Sequence, residues 1–138
     1  MSASEIDEYR PSEDEPFMND RQKEYFRKKL LTWKQDILKE SQGTLLNLQE
    51  DDNHLPDIAD RASSETEKAL ELRTRDRQRK LISKIDSALR RIEQGEYGWC
   101  EVTGDPIGLK RLIARPVATM TVEAQEAHER REKISRDD

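Results

Sequence analysis

The chain has 138 residues, of which 33% are hydrophobic and 40% are charged, and its mean hydropathy is -1.07. So little apolar surface excludes a compact globule with a large core and disfavours an enzyme with a deep pocket. The net charge of -5 excludes a protein that coats nucleic acid. With a single cysteine, no long apolar run and no signal-peptide pattern, we expect a cytoplasmic protein without a membrane segment or internal disulfide.

The first half of the chain predicts an acidic leader followed by a long helix. Residues 1–20 carry seven acids and one base, which indicates an acidic N-terminal segment that is partly flexible. From residue 21 a coiled-coil seam is visible in the spacings of 4, 3 and 4 residues that separate Phe26, Leu30, Trp33 and Ile37. Residues 51–57, including Pro56, have the chemistry of a turn.

A second helical pattern runs from about Ile58 to Gln94, and Gly95 is placed to end it as a C-cap. Its seam repeats the same spacing in Leu81, Ile85, Ala88 and Ile92. Two long helices joined by a short turn pack antiparallel, so residues 21–94 predict a coiled-coil hairpin with a tip at about 51–62. The second arm would be roughly 50 Å long. Because the turn folds the chain back on itself, we expect a monomer.

The remainder predicts an all-α protein with one irregular part. Residues 95–120 contain four of the five glycines and form a small irregular module that resembles a zinc finger. Residues 121–138 predict a C-terminal helix, with Thr121 as its N-cap and Glu123 in its first turn.

Two groups of charged residues could carry function. Asp57 and Asp60 are three residues apart and share one helical face, where the residues alone favour capping of the helix and also permit a carboxylate pair at the tip. The run from Arg73 to Lys80 contains five bases and one acid, an unusual density of positive charge in an acidic protein. Such a run is usually a solvated face, but it could also serve an anionic partner or a phosphate.

With these motifs in view, the chain resembles the DksA/TraR family of RNA polymerase regulators from about Met18 onward. The resemblance rests on four motifs in order, Pro56-Asp57-x-x-Asp60-Arg61-Ala62, Leu70-Glu71-Leu72-Arg73-x-Arg75-Asp76-Arg77 followed by Arg79-Lys80-Leu81-Ile82, Gly98-Trp99-Cys100-Glu101, and Ile107-Gly108-x-x-Arg111-Leu112-x-Ala114-Arg115-Pro116.

The resemblance implies a coiled coil that enters the secondary channel of RNA polymerase and retunes initiation together with guanosine tetraphosphate (ppGpp), without sequence-specific DNA binding and without catalysis. Asp57 and Asp60, with Ala62 beside them, would act near the polymerase active site. The ppGpp contacts of the family map onto Leu81, Lys84 and Arg115. Gln125 stands where well-known members have a basic residue, which predicts weaker synergy with ppGpp.

The zinc positions of the family correspond here to Cys100, Thr103, Thr121 and Ala124. Only Cys100 is a zinc ligand, so the chain is similar to a cysteine-poor branch, and we expect no bound zinc and no cofactor in the free protein. Three alternatives remain: a coiled-coil adaptor, a magnesium enzyme that uses Asp57 and Asp60, and a transcript-cleavage factor of the Gre type.

Overall fold

The computed structural model describes residues 9–51 and 58–137, with side chains at 9–43 and 62–135. The helices are α1 (Asp20–Asp51), α2 (Ile58–Gln94), α3 (Leu109–Ala114) and α4 (Val122–Asp137). The described ranges hold no strand, and their one β-type pairing is an isolated bridge between Trp99 and Pro106. The predicted all-α class is confirmed. None of the helices in these ranges combines the length and apolarity needed to cross a membrane.

The chain forms two compact units. The hairpin unit is Leu31–Asp86, and the terminal unit combines Met1–Leu30 with Ser87–Asp138. The long helices α1 and α2 each contribute residues to both units. Each unit has its own contacts and is described separately.

In the hairpin unit, polar contacts between α1 and α2 fix an antiparallel register. Lys34 Nζ lies 2.7 Å from Asp86 Oδ1. Farther along the pair, Ser41 Oγ donates to Gln78 Oε1 at 2.9 Å, and Gln78 Nε2 donates to Glu40 Oε2 at 3.2 Å. Rising numbers on one helix meet falling numbers on the other, so the predicted antiparallel coiled coil is confirmed.

The terminal unit has a small aromatic and aliphatic core. Phe26, Leu30 and Leu112 are fully buried, and the ring centroids of Phe26 and Tyr97 are 5.6 Å apart. The core also includes Ala88, Ile92, Ile107, Leu109 and Ala118. Six of the eight residues that the seam pattern predicts are buried, and the other two, Trp33 and Leu81, are half-buried.

Residues 9–19 pack onto this core, although sequence analysis predicts only an acidic, partly flexible segment over residues 1–20. The side chain of Gln22 is fully buried, and its polar atoms have partners there. Its Oε1 accepts a hydrogen bond from the Met18 N–H at 2.8 Å, and its Nε2 donates to Ser12 O at 3.2 Å. The ring of Phe17 meets that of Trp99 edge to face, with centroids 5.3 Å apart. Residues 1–8 lie outside the described part of the chain.

Two predicted helix ends have the expected geometry. Gly95 has a φ of 77° and follows the last residue of α2. The Glu96 N–H donates to Arg91 O at 2.9 Å and the Gly95 N–H to Ile92 O at 3.2 Å, which is the Schellman arrangement. At α4, the Ala124 N–H donates to Thr121 Oγ1 at 3.2 Å, so Thr121 is the N-cap.

Candidate functional site

A stripe of positive charge lies on α2 in the hairpin unit. Arg73, Arg77, Lys80 and Lys84 follow one another at spacings of 4, 3 and 4 residues and are all exposed, so they share one face of the helix. Lys80 Nζ approaches Asp76 Oδ2 at 3.3 Å, but both side chains are more than half exposed and such a pair is worth less than about 1 kcal/mol. The stripe therefore stays positively charged and open to an anionic partner.

The residues predicted for ppGpp binding fall on both units. Leu81 is half-buried on α2, and Lys84 lies three residues further along the same helix with its side chain in solvent. Arg115 belongs to the terminal unit, directly after α3, and its side chain is exposed. Lys84 and Arg115 are cationic and accessible, as residues that bind phosphate must be.

Gln125 lies in the first turn of α4 and is half-buried. Its backbone N–H donates to Thr121 O at 2.9 Å, and its side-chain Nε2 donates to Glu129 Oε1 at 3.1 Å. A lysine at this position would therefore lie one turn from the Glu129 carboxylate, which would partly neutralise the positive charge of the lysine.

The predicted tip is described only in part. Asp57 lies outside the described residues, and so does the side chain of Asp60, whose backbone is in the first turn of α2. Ala62 is an exposed residue of the same helix.

Of the other three positions that correspond to zinc ligands in the family, Thr103 and Thr121 are linked to Cys100. Its thiol is buried and receives hydrogen bonds from the Thr103 hydroxyl and from the backbone N–H groups of Thr103, Thr121 and Val102. Thr121 also connects to Ala124 through the N-cap bond of α4. The knuckle at residues 100–103 and the start of α4 are thus joined by hydrogen bonds to one sulfur atom.

These hydrogen bonds change the acidity of the thiol. Burial raises the pKa of Cys100, because a thiolate is poorly solvated there, but the four hydrogen bonds stabilise the thiolate. The balance lowers the pKa of Cys100 to about 6. The hydrogen bonds therefore favour the thiolate form more than in an ordinary cysteine.

The same four positions do not supply a zinc donor set. Alanine has no donor atom, threonine is not a zinc ligand, and Thr121 Oγ1 is engaged in capping α4. No cluster of three or more His, Cys, Asp or Glu side chains suited to a metal occurs among residues 9–51 and 58–137.

The backbone on both sides of Arg115 is held by side chains from elsewhere in the terminal unit. Lys29 Nζ on α1 donates to Ile113 O at 3.2 Å, and the Tyr97 hydroxyl donates to Pro116 O at 2.8 Å. The Arg115 N–H donates to Arg111 O at 2.7 Å. Sequence analysis did not single out Lys29 or Tyr97, because neither belongs to a motif and both contacts join distant parts of the chain.

The protein is thus a helical hairpin followed in sequence by a small irregular module, and a known family model matches each of these two parts. The family model described as DnaK suppressor protein DksA, N-terminal domain, matches residues 22–92. The family model described as prokaryotic dksA/traR C4-type zinc finger matches residues 95–130. The chain belongs to the DksA/TraR family, as the resemblance indicates.

Individual relatives match over almost the full length. The RNA polymerase-binding transcription factor DksA of Caulobacter vibrioides is 70% identical over 97% of this chain and 94% of its own. The protein of the same name from Escherichia coli is 38% identical over 96% of this chain and 88% of its own. The structure of transcription factor DksA2 from Pseudomonas aeruginosa superposes with a TM-score of 0.79 at 38% identity, over 94% of this chain and 97% of that one.

Proposed function

We propose that this protein binds RNA polymerase through its secondary channel and modulates transcription initiation together with ppGpp, without catalysis and without sequence-specific DNA binding. The observation that carries the proposal is the antiparallel pairing of α1 and α2, from Lys34–Asp86 to Ser41–Gln78, in a chain 70% identical to an RNA polymerase-binding factor. A helical hairpin of this kind can carry residues near its turn into a narrow channel of a large enzyme. The exposed basic stripe on α2 supplies a surface for an acidic partner.

A pull-down with core RNA polymerase tests the interaction. A photocrosslinking residue at exposed Ala62 should label polymerase subunits inside the channel, whereas one at Val102, in the terminal unit, should label a different surface. Labelling only outside the channel, or an absence of binding to core polymerase, would refute the proposal and favour a coiled-coil adaptor.

The ppGpp part of the proposal assigns contacts to Leu81, Lys84 and Arg115 in the complex with polymerase. The charged groups of Lys84 and Arg115 can pair with phosphates, and polymerase completes the site. In transcription from a stable-RNA promoter, Lys84→Ala and Arg115→Ala should remove most of the ppGpp-dependent effect and spare the ppGpp-independent effect. Full synergy in both variants would show that the site lies elsewhere.

Gln125 supplies a graded test of the same site. Gln125→Lys should raise the response to ppGpp because it adds a cation. The gain should be larger in Gln125→Lys combined with Glu129→Gln, because Glu129 otherwise attracts the new charge from one turn away. An equal response in all three proteins would contradict a role for this position.

We further propose that the protein acts in the cytoplasm as a monomer. We also propose that its terminal module folds and works without zinc. Support comes from the donor chemistry at the family positions, where the Cys100 sulfur accepts hydrogen bonds and the other three residues offer no thiolate or imidazole. The Cys100 sulfur accepts hydrogen bonds from the knuckle and from Thr121 at the start of α4, a connection that a metal supplies in a zinc finger.

A further inference from the structure

The short segment that carries Arg115 is hydrogen-bonded to the rest of the terminal unit by side chains of residues that belong to no sequence motif. Two backbone carbonyls, one two residues before Arg115 and one directly after it, accept hydrogen bonds from Lys29 and Tyr97. The Ala118 N–H closes the segment by donating to Arg115 O at 3.0 Å. We propose that Tyr97 and Lys29 are positioning residues that fix the direction of the Arg115 side chain for ppGpp.

This inference rests on the proposed contact between Arg115 and ppGpp. Arg115 caps a helix of only six residues, and its φ of -141° and ψ of 86° are not helical, so α3 holds it only through the bond from its N–H to Arg111 O. Its side chain is exposed and leaves the backbone at a point where no regular structure follows. The orientation of the guanidinium therefore depends on how firmly residues 113–118 are held.

Tyr97 is suited to this task. Its side chain is buried, and its ring packs against the fully buried Phe26. Burial raises the pKa of the phenol well above its ordinary range, so the hydroxyl keeps its proton and remains a hydrogen-bond donor at all physiological pH values. Pro116, which provides the accepting carbonyl, is also buried. A donor and an acceptor that are both withheld from water have no alternative partner in solvent.

Lys29 provides the second tether from a different helix. Its ammonium group reaches the carbonyl of Ile113 in the last turn of α3 and lies 5.9 Å from the centre of the Tyr25 ring. This bond satisfies one of the carbonyls that remain free at a helix end. It is more exposed to solvent than the Tyr97 bond, so its removal should have a smaller effect.

Loss of a tether should reduce the fraction of time that Arg115 spends in the orientation that binds ppGpp, and the apparent affinity falls by that fraction. In transcription assays with polymerase, Tyr97→Phe should raise the ppGpp concentration for half-maximal response by about three- to tenfold, with the maximal response retained. Lys29→Met should raise it by about twofold. Tyr25→Phe is the matched control, since it removes a phenol hydroxyl from the same unit and keeps the ring that Lys29 approaches.

A double mutant separates this inference from the function on which it rests. If Tyr97 acts through Arg115, Tyr97→Phe should have no further effect on the ppGpp response in an Arg115→Ala background. If Arg115→Ala itself leaves the response unchanged, both the site and the positioning role are wrong. If Arg115→Ala removes the response but Tyr97→Phe and Lys29→Met leave the half-maximal concentration unchanged, only the positioning role is wrong.

A purely structural role for Tyr97 would give a different result. General loss of fold in Tyr97→Phe would lower the maximal response and the ppGpp-independent effect together, and would lower the thermal midpoint of the free protein. That pattern, with Lys29→Met indistinguishable from Tyr25→Phe, would overturn the inference.

Discussion

Substitution of Gly98 by alanine should destabilise the terminal unit by two separable effects. Gly98 has a φ of 92°, a conformation that side-chain-bearing residues rarely adopt. A Cβ at this position would also lie 2.8 Å from Met18 Cγ, 3.1 Å from Met18 Sδ and 3.3 Å from Phe17 Cζ. Met18 is buried and its Cγ is not at the free end of the side chain, so it cannot move aside without disturbing the packing of residues 9–19.

The two effects can be given magnitudes. The positive φ alone should cost about 1–2 kcal/mol. Overpacking against a buried side chain should add about 1–3 kcal/mol. Gly104→Ala is the matched control, because Gly104 has a φ of 77° and no atom lies within 4 Å of its added Cβ. The difference between the two variants therefore isolates the steric effect of Met18 and Phe17.

Chemical denaturation followed by circular dichroism, together with Trp99 fluorescence, measures both variants. Trp99 reports on the segment because its ring contacts Phe17. Met18→Ala combined with Gly98→Ala should recover most of the steric part, so the double mutant should be more stable than the sum of the single effects. Equal losses in Gly98→Ala and Gly104→Ala, or no coupling with Met18, would refute the packing of residues 9–19 against Gly98.

Three further predictions concern the tip, the thiol and the metal. Asp57→Asn or Asp60→Asn should abolish the effect on initiation while polymerase affinity stays within a few fold of the original, whereas a loss of helicity with a cost of about 1 kcal/mol would indicate capping alone. Because the folded state lowers the pKa of Cys100 to about 6, its thiolate should stabilise the fold above the ordinary thiol pKa and lose that effect as the pH falls through 6. The unfolding free energy lost in Cys100→Ala should therefore be larger at alkaline pH than at pH 5, and a pH-independent difference would contradict the hydrogen-bonded thiolate. Elemental analysis of protein purified without chelator should find far less than one zinc per chain, and stoichiometric zinc or a loss of helicity on chelation would disprove zinc independence.

Local chemistry made the helical part of the fold predictable. The heptad positions Phe26, Leu30, Ile85, Ala88 and Ile92 are buried because a 3.5-residue apolar repeat leaves little choice of face. The helix ends at Gly95 and Thr121 follow from capping chemistry that depends on a few neighbouring residues.

The rest of the terminal unit depends on contacts between residues far apart in sequence. No motif indicates that the side chain of Gln22 is buried, since its partners are backbone groups, the Met18 N–H four residues away and the Ser12 carbonyl ten residues away. The hydrogen bond from the Tyr97 hydroxyl to Pro116 O likewise spans nineteen residues, and no repeat or motif in the sequence predicts it. For the site, the sequence identifies Cys100 and the three other family zinc positions, but only the structure shows the hydrogen bonds that join Cys100 to Thr103 and Thr121.

The contacts of Gln78 with Ser41 and Glu40 bear on how the hairpin can change in length. If seven residues were inserted into one helix alone, on the turn side of these contacts, the other helix would have no stretch to pair with them. The inserted residues would form an unpaired bulge. Seven residues inserted into both helices would preserve the pairing and extend the hairpin by about 10 Å. Insertions and deletions in the hairpin unit should therefore survive in evolution as matched pairs, and a designed hairpin of different reach should be built from such pairs.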